Sequence, residues 1–158
     1  CNNLKESDTI IDAGCGTGID LTHLAKNYSN QFAGYDINRD FIIKAEMKKS
    51  EQGVENIDYY VSDHNSPMHG ESIGIADLIF TNSLYRNGET TEEKFIETIR
   101  NISRRVIKYK NLILGNESIN IERLENPLRD NGILLQDKHY NSKHGKKEFY
   151  SFVFKVER

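Results

Sequence analysis

Short apolar runs alternate with stretches of helically spaced apolar residues along the first part of the chain. The run before Gly14 has the length of a buried strand, and Leu21, Leu24 and Ala25 then recur on one helix face. Asn38 is a favourable N-cap for a later helix. The pattern predicts a strand within 8–13, a helix over about 20–28, a strand at 31–36, a helix over about 39–52 and a strand at 57–62.

The second part of the chain continues this alternation and ends in a hairpin. Thr90 and Glu93 form a capping box, after which the apolar residues from Phe95 to Val106 recur at steps of four, three and four. The predicted elements are a strand at 76–82, a helix over about 91–107, a strand at 111–115, a helix over about 119–128 and two strands at about 132–140 and 148–156.

This order of elements defines the fold class. Strands that alternate with helices favour an α/β fold with a doubly wound, mostly parallel sheet of seven strands and helices on both faces. The final hairpin adds an antiparallel strand at the C-terminal end of this Rossmann-like sheet. Ligands of such sheets bind beyond the carboxyl ends of the strands, so the candidate site residues are those at the strand ends.

Composition limits the further possibilities. With 158 residues, 37% hydrophobic and 28% charged, the sequence predicts a single domain over 1–158. A net charge of -3 indicates no overall preference for nucleic acid or anionic lipid. The chain has neither a bilayer-length apolar run nor a signal segment, which predicts a soluble, cytoplasmic protein. Cys1 and Cys15 suggest neither a disulfide framework nor a metal site, and a first residue other than methionine suggests trimming at the N-terminus.

Three alternating glycines, Gly14, Gly16 and Gly18, follow the first strand and precede the first helix. Without side chains the loop backbone can adopt positive φ, and a ligand can lie directly against it. The free N–H groups at the start of the helix would face the same ligand. A plain strand-to-helix turn needs one or two such glycines, so the triple pattern favours a ligand-binding loop.

Two acidic residues close the next two strands. Asp36 lies about twenty residues after the glycine loop, the spacing at which a carboxylate accepts hydrogen bonds from ribose hydroxyls. Asp63 ends the third predicted strand, where an acceptor could meet an adenine amino group. Each could also be an ordinary turn residue, but together with the loop they predict a nucleoside site.

The glycines do not match the dinucleotide fingerprint, because its sixth position, a glycine, is Ile19 here. The string from Asp12 to Gly18, with Asp36, Asp63 and the strand from Ala76 to Phe80, resembles the class I S-adenosylmethionine-dependent methyltransferases. The resemblance extends from about Thr9 to the end of the chain, because that family also ends in a helix and a strand hairpin. It implies S-adenosylmethionine as the cofactor.

The resemblance also implies roles for individual residues. The loop from Asp12 to Gly18 would surround the amino acid part of the cofactor, Asp36 would bind the ribose, and Asn82 would line the methyl-donor end. The implied cofactor-binding residues are Asp12, Gly14, Cys15, Gly16, Gly18, Asp36, Ile37, Asp63, His64, Asn82 and Ser83. Tyr85 and His64 are the candidate catalytic residues, with Tyr85 facing the acceptor, and His69 is a third candidate base.

The methyl acceptor is less well defined. We expect an oxygen or nitrogen atom of a small molecule or saccharide, because the chain lacks the Asn-Pro-Pro-Tyr string of enzymes that methylate base amino groups. The predicted turn Lys138–Lys147 holds four lysines and two histidines and could bind an anionic acceptor, although nucleic acid is disfavoured. Alternatives are a catalytically silent cofactor-binding module of a larger protein, an RNA or DNA methyltransferase, and a nicotinamide-dependent oxidoreductase.

Overall fold

The computed structural model describes residues 5–63, 76–82, 91–103, 106–117, 121–144 and 147–156. Four helices lie within these ranges: α1 (Ile19–Asn27), α2 (Arg39–Glu51), α3 (Glu92–Ser103) and α4 (Ile121–Arg129). The strands are β1 (Thr9–Ala13), β2 (Gln31–Asp36), β3 (Ile57–Val61), β4 (Ala76–Asn82), β5 (Val106–Glu117), β6 (Ile133–His144) and β7 (Lys147–Val156).

The described strands form one sheet of seven strands in the order β3-β2-β1-β4-β5-β7-β6. Strands β1 to β5 pair in parallel, and β7 pairs antiparallel with both β5 and β6. The strand order reverses at β1, which is the point where parallel sheets of this kind bind ligands. The α/β fold class predicted from the sequence is therefore confirmed.

Helices cover both faces of the sheet because alternate strand residues point to opposite sides. On one face, Ile10 and Phe32 pack in a core with residues of α1 and α2. On the other face, Ile11 and Ile79 pack in a second core with residues of α3 and α4. The buried helix residues of the first core are Leu21, Ala25, Ile42 and Ala45, and those of the second are Phe95, Ile99, Ile102 and Leu128.

The boundary between α3 and β5 differs from the sequence-based prediction. Helix α3 ends at Ser103 and Val106 begins β5, where it pairs with Ala76 of β4. Val106 fits both the helical period and a run of strand-forming residues, and pairing with β4 decides between them. A register shift follows, because Leu78 pairs with Asn111.

The lysine-rich segment Lys138–Lys147 is not a loop throughout. Residues 138–144 continue β6 and pair with β7, from Lys138 opposite Phe152 to His144 opposite Lys147. Their backbone groups form hydrogen bonds with β7, and this pairing extends the strand through polar residues. The polar composition of the segment alone predicts a turn. In the part of the chain that the structure describes, no helix is long and apolar enough to cross a membrane.

Candidate functional site

The glycine loop connects β1 to α1 at the carboxyl edge of the sheet. Gly14, Gly16 and Gly18 all have positive φ, at 82°, 53° and 68°. The backbone N–H groups of Gly14 and Cys15 both donate to the carbonyl of Tyr35 in β2, at 2.8 and 3.0 Å. These bonds fix the start of the loop against the end of β2.

The glycines serve two different purposes. A Cβ built at Gly16 would meet nothing within 4 Å, so the space beside this residue is open. A Cβ at Gly18 would instead collide with Tyr59, whose Cζ would lie 2.7 Å away. Gly16 therefore leaves room for a ligand, whereas Gly18 leaves room for a side chain of the protein.

Tyr59 of β3 lies beneath the loop and was not predicted as a site residue. Its hydroxyl donates to the carbonyl of Gly18 at 3.2 Å and lies 3.0 Å from the hydroxyl of Thr22 in α1. A Cβ at Gly34 would come within 2.8 Å of the Tyr59 ring. Burial raises the pKa of Tyr59 to about 12, so the hydroxyl keeps its proton and supports the loop from below.

Asp36 connects the glycine loop to the start of α2. One carboxylate oxygen accepts the backbone N–H of Gly16 at 3.0 Å, and the other accepts that of Asn38 at 2.8 Å. The second bond is the turn role that an aspartate often has after a strand. A carboxylate has about four lone-pair positions, so each oxygen can still accept a ligand hydroxyl.

Asp12 is a buried acid without full pairing. It is 3% exposed, and its Oδ1 has no hydrogen-bond partner. Burial, with the nearby charges of Asp20 and Asp36, raises its pKa from 3.8 to about 8. The carboxyl group is therefore mainly protonated at pH 7, and a bound cation would favour its charged form.

Cys15 lies in the loop as a half-buried free thiol. Its Sγ donates a weak hydrogen bond to the carbonyl of Gly16 at 3.8 Å. Burial raises the pKa of the thiol above its usual range, with additional contributions from Asp12 and Asp36. A thiol that stays protonated is a poor nucleophile.

The remaining predicted residues lie at the strand ends or outside the described ranges. Ile37 is 67% exposed beside Asp36, and Asp63 is half-buried two residues after β3. Asn82 is the last residue of β4. His64, Ser83 and Tyr85, and also His69, lie outside the residues that the structure describes.

Thr81, which is absent from the residues predicted from the sequence, is a second unpaired polar group in this region. It is buried near the end of β4, and its hydroxyl has no hydrogen-bond partner. The sequence does not indicate a site role for Thr81, because threonine is common inside strands. Within the described ranges, no group of three His, Cys, Asp or Glu side chains is placed to hold a metal ion.

The strand order reverses at β1, the glycine loop beside it is open, and acids lie at the ends of neighbouring strands. This is the arrangement of the class of α/β proteins that bind nucleoside-type ligands. A family model described as a methyltransferase domain matches residues 4–151. The chain belongs to this family. Membership confirms the predicted S-adenosylmethionine-dependent methyltransferase class. It also confirms the prediction of an enzyme and of S-adenosylmethionine as its cofactor.

The individual curated relatives have low sequence identity to this chain. The chain is 29% identical over 111 residues to the mRNA cap guanine-N(7) methyltransferase of Saccharomyces cerevisiae, an alignment that covers 63% of this chain and 25% of that protein. The chain thus spans about a quarter of the length of the curated relatives it matches.

Solved structures share the fold at lower identity. Magnesium protoporphyrin IX methyltransferase from Synechocystis PCC 6803 with bound SAM superposes with a TM-score of 0.76 at 17% identity, covering 95% of this chain and 71% of that one. The [4+2]-cyclase SpnF superposes with a TM-score of 0.77 at 16% identity, covering 97% and 76%. At such identities these likenesses concern the fold alone.

Proposed function

We propose that this chain binds S-adenosylmethionine at the glycine loop and catalyses methyl transfer to an oxygen or nitrogen atom of a small molecule or saccharide. The observation that carries the proposal is the unpaired Oδ1 of the buried Asp12, next to a loop that is open at Gly16. A buried carboxyl group without a partner has a large unmet capacity for a cationic ligand.

The charges near the loop favour this cofactor over a dinucleotide. Asp12, Asp20 and Asp36 are close enough to one another for the charges of the last two to raise the pKa of the first. Acids so placed would repel a pyrophosphate and attract the ammonium and sulfonium groups of S-adenosylmethionine. When bound, S-adenosylmethionine would supply the electrophilic methyl group of its sulfonium, and S-adenosylhomocysteine would be the leaving group of the transfer.

The roles of the surrounding residues are part of the proposal. Asp36 would bind the ribose hydroxyls with its remaining lone pairs, since its carboxylate already accepts the N–H of Gly16. Ile37, Asp63 and His64 would contact the adenine, with Asn82 and Ser83 near the methyl group. Orientation of the reactants can supply about 7–11 kcal/mol of barrier reduction, and a base such as Tyr85 or His64 a further ~10²–10⁴-fold in rate.

Calorimetric titration tests the cofactor assignment. We expect S-adenosylhomocysteine to bind the chain and NAD not to bind. Binding of NAD alone would contradict the proposal and favour the oxidoreductase alternative. Asp36→Ala should weaken S-adenosylhomocysteine binding by about 3 kcal/mol, because a charged acceptor is lost. Asp40→Ala is the matched control, because Asp40 is an exposed acid in the first turn of the neighbouring α2.

A guanine ring nitrogen is a second candidate acceptor. The similarity to an mRNA cap guanine-N(7) methyltransferase covers 63% of this chain, which supports an RNA substrate despite the overall charge of -3. N7 of guanine has a lone pair and no proton, so its methylation needs no general base.

Transfer of a labelled methyl group to an acceptor panel separates these candidates. The panel contains GTP, capped RNA, uncapped RNA, monosaccharides and phosphorylated sugars, and mass spectrometry locates the new methyl group. Labelling of capped RNA at guanine N7 would replace the small-molecule proposal, whereas labelling of GTP alone would identify a nitrogen acceptor within it. Cofactor binding without turnover on any acceptor would favour a binding module.

A further inference from the structure

The outward side of α2 carries an exposed ridge of four residues spaced four apart. Arg39 and Glu51 form its ends, and Ile43 and Met47 lie between them. The two apolar side chains are 50% and 57% exposed. Together with Val61 of the edge strand β3, this α2 ridge lines a groove of about 580 Å³. Contiguous exposed apolar side chains are a common feature of protein–protein interaction surfaces.

The charges at the ends of the α2 ridge oppose the helix dipole. Arg39 is the first residue of α2, where the dipole is positive, and Glu51 is the last, where it is negative. Among the described residues, neither side chain forms an ion pair. Asp40 in the first turn and Lys48 and Lys49 in the last turn complement the dipole. Arg39 and Glu51 oppose it, however, and each of these two would gain from an opposite charge nearby.

We propose that the α2 ridge binds the same ridge of a second copy in an antiparallel, two-fold symmetric dimer. Reversal of the ridge exchanges its ends, so Arg39 meets Glu51 of the second copy at both ends of the interface. In the middle, Ile43 of each copy faces Met47 of the other. Residues spaced four apart form ridges that run parallel when two helices cross at about −50°, which is the common packing mode.

The antiparallel arrangement also corrects the dipole mismatch. The C-terminus of α2 in the second copy lies beside the N-terminus of α2 in the first, so the opposed helix ends attract each other. Glu51 of the second copy then lies near a positive helix end. A two-fold axis repeats each contact, as in most soluble homodimers.

Other occupants fit the α2 ridge less well. An anionic lipid surface or an acidic peptide would pair with Arg39 and leave Glu51 facing negative charge. A second copy of the chain offers an opposite charge to both Arg39 and Glu51. Because the contact is centred on one helix, we expect a dimer at the small end of interface sizes that dissociates on dilution.

Sedimentation velocity over roughly 1 µM to 1 mM tests the proposal. The wild-type chain should shift from monomer to dimer with concentration. R39E places two acids against each other at both ends of the interface, and E51R places two bases there, so each single variant should remain monomeric. The double variant R39E/E51R should dimerise again, and an equimolar mixture of the two single variants should form a heterodimer.

Misfolding of the variants would not explain a loss of dimer, because both single changes agree with the helix dipole. We expect their thermal midpoints at low concentration to equal or exceed that of the wild type. Lys44→Glu changes an exposed charge of α2 outside the ridge and should leave dimerisation unchanged. A wild-type chain that stays monomeric throughout, or single variants that dimerise as the wild type does, would overturn the proposal.

Discussion

Two buried aspartates lie at opposite ends of β1 and differ in their pairing. Asp8, directly before the strand, accepts the backbone N–H of Lys5 at 2.6 Å, and the side chain of Asn30 donates to its carbonyl at 3.0 Å. Asp12, within the strand, has a carboxylate oxygen with no partner. Both residues are almost inaccessible to solvent. The two aspartates therefore differ in the hydrogen bonds that their side chains accept and not in their burial.

The difference has a physical meaning. A buried acid that receives hydrogen bonds stabilises the local backbone, whereas one that lacks them destabilises the fold unless another group compensates. Asp8 closes the turn that leads into the sheet at the edge away from the ligand site. Asp12 lies at the edge where the glycine loop begins, and we propose that the partner of its unpaired oxygen is a ligand cation.

The largest expected effect is on the pH dependence of stability. In the ligand-free folded chain the pKa of Asp12 is about 8, above its value of 3.8 outside the fold. The folded state thus keeps a proton that the unfolded state loses, so the unfolding free energy should fall as pH rises from about 4 to 8, by at most about 1.4 kcal/mol per pH unit. Denaturant unfolding at several pH values measures this slope.

Asp12→Asn should remove that slope while leaving stability near pH 4 almost unchanged, since the amide resembles the protonated acid. The variant should be more stable than the wild type by several kcal/mol above pH 8, as an order of magnitude. Parallel pH profiles for the two proteins would show that Asp12 does not bear the proton.

Cofactor binding should show the next largest effect. Asp12→Asn removes the negative charge proposed to face the cofactor's cationic groups, so the Kd for S-adenosylmethionine should rise about 30- to 100-fold, or about 2–3 kcal/mol. The wild type should release protons on binding, which calorimetry detects as a heat that varies with the buffer. Unchanged affinity would place Asp12 among purely structural acids, with Asp8.

Asp8→Ala should show the opposite pattern. The backbone N–H of Lys5 loses its acceptor, and we expect the unfolding free energy to fall by about 1–3 kcal/mol. The folded fraction should bind S-adenosylmethionine as the wild type does. Asp58→Ala is the control, because Asp58 is an exposed acid whose ion pair with Lys49, at 3.8 Å, should contribute well under about 1 kcal/mol.

The smallest effect concerns the support beneath the loop. Tyr59→Phe keeps the ring against Gly34 but removes the hydroxyl that contacts Gly18 and Thr22. We expect a loss of about 1 kcal/mol in stability and a similar weakening of cofactor binding. Tyr60→Phe, at the neighbouring half-buried position, should change neither quantity. Equal effects of the two substitutions would contradict the role assigned to Tyr59.

The sequence predicts the parts of this fold that depend on local signals. The glycine loop, the N-cap at Asn38, Asp36 at the end of β2 and Asp63 shortly after β3 all appear where their spacing indicates. The contact between Tyr59 and Gly34 depends on the pairing of β2 with β3, which no local pattern contains. The helical prediction for Val106 is wrong for the same reason, since β4 decides its conformation.

The strand order of the sheet determines when its last strands can fold during synthesis of the chain. Strand β7 follows β6 in the sequence but lies between β5 and β6, and within the described residues β6 pairs with β7 alone. As the chain leaves the ribosome, β6 can join the sheet only after β7 has emerged, because β7 is its link to β5. A truncation before Lys147 would therefore detach two strands at once and leave the edge of β5 open to other chains.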